Sequence, residues 1–211
     1  MEAMLGEPVT VPLSDGGIVE GDLVVPPRAR SLVVFAHGGW GDSLEFAIAE
    51  LLRQSGTATL ILDSRKEGGE PLAARVVAAC DWVETNPKLC HLAVGTCGIG
   101  DGAAAVLRAA GERPWGVGAV VICGGRLDIT PTELERVRAP VLIMASGSDL
   151  DVLERNRNAL RWLHEFCVLK VFAGADPNST APGSLQQVAR EARGWFARHL
   201  GAAQAEPILL H

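Results

Sequence analysis

The sequence predicts an α/β protein with a mostly parallel sheet of about seven to eight strands, helices on both faces and an antiparallel hairpin at the N-terminal end. Three observations predict it. Short runs that are apolar at every position recur along the chain, as strands buried on both faces require. Stretches with apolar residues at helical spacing alternate with them. Residues 6–25 differ, because two strand-like runs there flank a turn. Strand–helix alternation implies crossover connections and therefore a parallel sheet.

The elements follow in order. Thr10–Leu13 and Ile18–Val25 flank Ser14-Asp15-Gly16-Gly17, the composition of a hairpin turn. Leu32–Ala36, Thr59–Leu62, Leu92–Cys97, Ala119–Cys123, Val141–Ala145 and Val168–Phe172 are the buried strands. Asp42-Ser43-Leu44-Glu45 offers a cap with an acid three residues on, which opens the first helix. Leu72, Val76, Cys80 and Val83 keep helical spacing, as do Leu185, Val188, Ala192 and Trp195. No linker, internal repeat or low-complexity segment intervenes, so residues 1–211 read as one domain whose last residues, 201–211, form a tail.

Composition narrows the function. A chain of 211 residues with 48% hydrophobic content can bury a substantial core. A net charge of −6 without a Lys/Arg run argues against a nucleic-acid surface. No apolar stretch approaches the ~20 residues of a membrane span. The opening MEAMLGEPVT has no basic segment followed by an apolar one, so no secretory signal is expected. Five cysteines, an odd number without a C-x-x-C pair, fit reduced thiols in a cytoplasmic protein.

The most informative stretch runs from Val94 to Leu107, where an apolar strand enters small residues and an Ala-rich helix follows at once. That is the setting of the G-x-S-x-G elbow, a sharp turn that exposes a serine above a sheet. Here it reads Gly98-Ile99-Gly100-Asp101-Gly102, with glycine in the nucleophile position.

Together with this elbow, several segments resemble a compact α/β-hydrolase of the dienelactone-hydrolase-like group, without a cap domain. They are Glu20-Gly21-Asp22-Leu23 with Pro26, Val33-Val34-Phe35-Ala36-His37-Gly38-Gly39, Ala78–Val83, Gly124-Gly125-Arg126, Ala139-Pro140-Val141-Leu142-Ile143 and Trp195–Leu200. The resemblance covers nearly the whole chain and implies a triad in the order Ser, Asp, His. Its positions correspond to Gly100, Asp149 and Pro177, so the nucleophile and the base are replaced while the acid persists. No histidine lies between His164 and His199. The connection Asp63–Pro71 looks shortened relative to the family.

The resemblance further implies an oxyanion-binding site from the loop His37-Gly38-Gly39 and the N–H of Asp101, at the N-terminus of the helix after the elbow. Asp101 reads either as a helix N-terminal acid or as a displaced nucleophile. Asp149, Asp101 and Asp176 are the candidate catalytic carboxylates. His37, Gly38, Gly39, Trp40, Gly100, Gly102, Cys123 and Arg126 are the candidate substrate-binding residues. Trp40 either walls a pocket for an apolar or aromatic ligand or packs on the elbow helix, and Arg126 either clamps a carboxylate or phosphate or pairs with Asp128 or Asp149. His37, Cys97 and Cys123 are conceivable as a metal or thiol cluster, although buried cysteine as a small hydrophobe is the commoner arrangement, and no metal is expected.

Three functions fit these residues. The first is a non-hydrolytic enzyme performing cyclisation, isomerisation, elimination or similar carbonyl chemistry on a small, largely apolar substrate. The second is an inactive pseudo-hydrolase that binds a small ligand or a protein partner. The third is a hydrolase with a displaced nucleophile, Asp101 or a metal-bound water. No cofactor is expected; the partner is a small molecule, not nucleic acid or membrane, with room for a homo-oligomer. The apolar Pro207-Ile208-Leu209-Leu210 of the tail suits docking on the body or a partner, or disorder.

Overall fold

The hairpin forms where its pattern predicts it, from β1 (Glu7–Pro12) and β2 (Ile18–Val24) in antiparallel register, Val11 opposite Val19. Its turn is closed by the Gly17 N–H donating to Asp15 Oδ1 at 2.7 Å, while Gly16 adopts φ 84°. The computed structural model describes residues 6–37, 43–63, 71–163, 166–172 and 182–201. The Asp42 cap, the shortened connection over 64–70 and the tail beyond 201 lie outside them.

The remaining strands are β3 (Ser31–His37), β4 (Ala58–Leu62), β5 (Ala93–Ile99), β6 (Ala119–Cys123), β7 (Val141–Ser146) and β8 (Cys167–Phe172). They build one eight-stranded sheet in the order β1-β2-β4-β3-β5-β6-β7-β8, parallel from β4 onward. All six predicted strands are present, but β8 is not buried on both faces as its apolar run predicts: it ends the strand order, and Val168 and Val171 are exposed.

Side chains alternate across the sheet and sort the helices into two layers. Leu32, Val34, Val120, Ile122 and Ile143 face a core shared with α2 (Leu72–Thr85), α3 (Gly102–Glu112) and α5 (Leu150–Ala159). Val33, Phe35, Cys97, Ile99 and Val121 face a core shared with α1 (Ser43–Gln54) and α6 (Pro182–Leu200). Gly95 lets α6 approach, since a β-carbon there would stand 2.8 Å from the Phe196 ring.

Between β6 and β7 stands only α4 (Pro131–Leu134), so no cap domain is inserted at that point. The sequence reading did not anticipate this short helix. Thr130 and Glu133 form a reciprocal capping box with Pro131 at the first helical position, a pattern visible in Thr130-Pro131-Thr132-Glu133. Hydrogen bonds from the Thr130 hydroxyl and N–H, then from Arg108, hold the Glu133 carboxyl down at about 2. Among the described residues no helix is long and apolar enough to cross a membrane.

Candidate active site

Register brings three strand ends together. Ile99 stands between His37 on β3 and Cys123 on β6, so the turn after Ile99 emerges at the carboxyl edge between both neighbours. Ligands of open α/β sheets bind at this edge.

The turn is an elbow in geometry as well as in pattern. Gly100 adopts φ 54°, the left-handed region that side chains other than glycine's enter at a cost. Its N–H donates to the Cys123 carbonyl at 3.1 Å, and its own carbonyl accepts from the Ala103 N–H at 3.1 Å. A β-carbon on Gly98 would stand 2.6 Å from the Gly102 carbonyl oxygen, and one on Gly102 would stand 1.9 Å from the Ala36 carbonyl oxygen. Both glycines are required by the close approach of α3 to the strands. Gly100 is different: among the described residues a β-carbon there would meet nothing within 4 Å. The position that presents a side chain in the G-x-S-x-G pattern is therefore clear of the described residues.

Asp101 caps α3 in helical conformation but without a side-chain cap bond, and its carboxylate is exposed and unpaired among the described residues. The N–H groups of Asp101 and Gly102 also lack a backbone acceptor there. Two N–H groups without a backbone acceptor among the described residues, at the positive end of a helix, favour a carbonyl oxygen or an anion.

Asp149 takes a structural position. It is the N-cap of α5, with Oδ1 accepting from the Val152 N–H at 3.0 Å. Two strand spacings separate β7 from β5 in the sheet order, so Asp149 borders the site from its far side. Arg126 pairs with Asp151 at 3.2 Å, neither with Asp128 nor with Asp149. Asp149 caps α5, Asp128 is held by Arg155 at 2.7 Å, and Asp151 is shared between Arg126 and Arg155, each at 3.2 Å. This surface network leaves Arg126 61% exposed at the edge of the site.

Cys123 enters the site through its carbonyl. Its thiol is fully buried beside that of Cys97, which is also fully buried. Burial, then the hydrogen bond to Cys123, pushes the Cys97 thiol well above its ordinary range. Among the described residues no three His, Cys, Asp or Glu side chains could hold a metal ion. Gly38, Gly39, Trp40, Asp176 and Pro177 lie outside the described residues.

Gly124 and Gly125 carry a role the sequence reading did not assign. Both adopt positive φ, 67° and 83°, and a β-carbon on Gly125 would strike the Gly100 carbonyl. They form the backing of the elbow, and two adjacent glycines directly after a buried strand are the signal for it. A cavity of about 400 Å³ opens nearby between Leu127–Pro131 and the Arg155–Trp162 end of α5, and no elbow residue lines it.

No family model matches the chain. A Mycobacterium tuberculosis protein named "Putative phosphoribosyl transferase" is 38% identical over 195 residues, which cover 86% of this chain and 44% of that protein. The chain thus spans less than half the length of the curated relatives it matches. Among solved structures, the dienelactone hydrolase from Anabaena variabilis is 36% identical with a TM-score of 0.85, covering 92% of this chain and 98% of that one. The esterase domain of a Rhodothermus marinus protein shares the fold at 20% identity, with a TM-score of 0.78 and coverage of 94% and 100%. With its elbow, its sheet order and this likeness over nearly the full length of both chains, the protein belongs to the dienelactone hydrolase family of α/β-hydrolase folds.

Proposed function

We propose that this chain is a non-hydrolytic member of its family, acting on a small, largely apolar carbonyl compound without forming an acyl-enzyme. The observation that carries the proposal is Gly100: a left-handed elbow residue which, among the described residues, has nothing within 4 Å of its β-carbon position and N–H groups without a backbone acceptor beside it. Glycine offers no nucleophile, and Pro177, at the position of the family's histidine, offers no base. What persists is a seat for an oxygen that gains negative charge, which stabilises an enolate as well as a tetrahedral intermediate. The unpaired Asp101 carboxylate supplies a group able to take a proton from the carbon next to such a carbonyl. Isomerisation, elimination and cyclisation share that first step, with the proton passing to the carboxylate and the electron pair to the carbonyl oxygen.

A second reading, a pseudo-hydrolase that only binds its ligand, draws support from Asp149. The carboxylate at the family's acid position is used as a helix cap, a role that needs no chemistry. The phosphoribosyl transfer named for the Mycobacterium tuberculosis relatives does not enter either reading, because more than half of each relative lies outside the match.

The test has two arms. Incubation with p-nitrophenyl esters or a fluorophosphonate is expected to leave no adduct on residues 98–102, and a stoichiometric adduct there would establish a hydrolase. A panel of small apolar ketones and thioesters in D2O, followed by NMR, is expected to reveal exchange of the acidic C–H that is lost in Asp101→Asn. Saturable binding without exchange for any of them would favour the pseudo-hydrolase.

A further inference from the structure

At the amino edge of the sheet, opposite the elbow, a second cavity of about 320 Å³ opens where β5 and β6 begin. Cys80 of α2, Leu92, Val94 and Gly118 line it together with Trp115. The first three are buried, and burial pushes the Cys80 thiol up to about 12, so this wall is apolar and uncharged. Trp115 is 89% exposed, more than any other large hydrophobic side chain among the described residues. A tryptophan buries a large area when it packs, so an indole this bare beside an apolar wall leaves a large stabilisation unused.

Helix α6 delivers the chain to the same place. A β-carbon on Gly118, in the cavity wall, would stand 3.0 Å from Cδ2 of Leu200, the last residue of α6. Gly201 follows, and residues 202–206 then lead to Pro207-Ile208-Leu209-Leu210, outside the described residues. Three consecutive aliphatic residues gain by leaving water. From Gly201 to Ile208 an extended chain reaches up to about 23 Å, and it starts beside the cavity wall.

We propose that this cavity is the docking site of the chain's own apolar segment, with Ile208 and Leu209 laid against the Trp115 indole. The segment is tethered next to the cavity, so it meets Trp115 at a high effective concentration that no separate molecule shares. Its aliphatic side chains also match a wall that offers no charge.

The test uses the full chain with fluorotryptophan in place of tryptophan, the fluorine signals being assigned with Trp115→Phe and Trp162→Phe. A soluble nitroxide broadens the signals of accessible indoles. Trp115 is expected to broaden less than Trp162, although its indole is the barer of the two without the segment, 89% against 44%. In the double variant Ile208→Asp, Leu209→Asp the Trp115 signal should shift and become the first to broaden. The signals of Trp82, Trp162 and Trp195 should keep their positions, and circular dichroism of the variant controls for folding. A Trp115 signal that broadens first in the unmodified chain overturns the proposal, as does protection that survives the double variant. Protection that grows with protein concentration overturns it too, since a second copy would then be the cover.

Discussion

A β-carbon on Gly125 would stand 2.1 Å from the carbonyl oxygen of Gly100. The loop after β6 thus presses directly on the elbow after β5, and the shape of the candidate site depends on two positions that carry no side chain. Gly125→Ala is expected to lower stability by roughly 3 kcal/mol, the sum of a left-handed alanine and a backbone collision. Gly102→Ala, colliding with the Ala36 carbonyl, should be at least as damaging. Urea denaturation measures both, and a loss below about 1 kcal/mol in either would contradict the packing described.

Gly100→Ser behaves differently. Its β-carbon meets none of the described residues, so the variant should fold and lose only about 1–2 kcal/mol for the left-handed backbone. Without a histidine base the new hydroxyl should not raise turnover of p-nitrophenyl esters. A burst of p-nitrophenol from this variant would mean that another residue activates the serine.

The N-cap role of Asp149 makes a clear division between substitutions. Asp149→Ala should destabilise by about 1 kcal/mol, whereas Asp149→Asn, which also caps well, should change stability by a few tenths. Thermal melts of the pair check this. Equal losses in both would point to a role for the negative charge itself.

Cys97 and Cys123 should react slowly with maleimide in the folded protein, because burial and their mutual hydrogen bond keep the Cys97 thiolate rare. Exposed Cys90 should label first. Mass spectrometry of a time course gives the order, and early labelling of Cys97 would refute it.

His199 sets a pH dependence. Its Nε2 is buried and has no hydrogen-bond partner among the described residues, its ring lies 4.3 Å from that of Trp195, and burial, then Arg198, lowers its pKa. The unfolded chain then takes up the proton first on acidification, at about 6.5. Stability should be full above that value and fall as pH drops through 6.5 towards the lower folded value. His199→Gln should flatten this part of the profile, and an unchanged slope would assign it to another group.

Strand identity, the hairpin, the elbow position and the family were legible in the chain itself. Apolar runs such as Val141–Ala145 have no amphipathic alternative, and Gly98-Ile99-Gly100-Asp101-Gly102 follows a strand and opens a helix wherever the rest of the protein lies. The short helix at Pro131 was equally written in its capping box, but four residues add too little periodicity to stand out. What each side chain does at the site was decided by tertiary structure. The sequence offered Asp128 and Asp149 to Arg126, and it pairs with neither: it joins Asp151, which Arg155 also holds, because folding sets the first turn of α5 beside the loop after β6. Cys123 and Gly125 support the elbow from another strand end, a contact set by β5–β6 register and not by spacing along the chain. Local pattern determines which backbone conformation a segment adopts. Competition among groups brought together by folding determines which partner each polar side chain keeps.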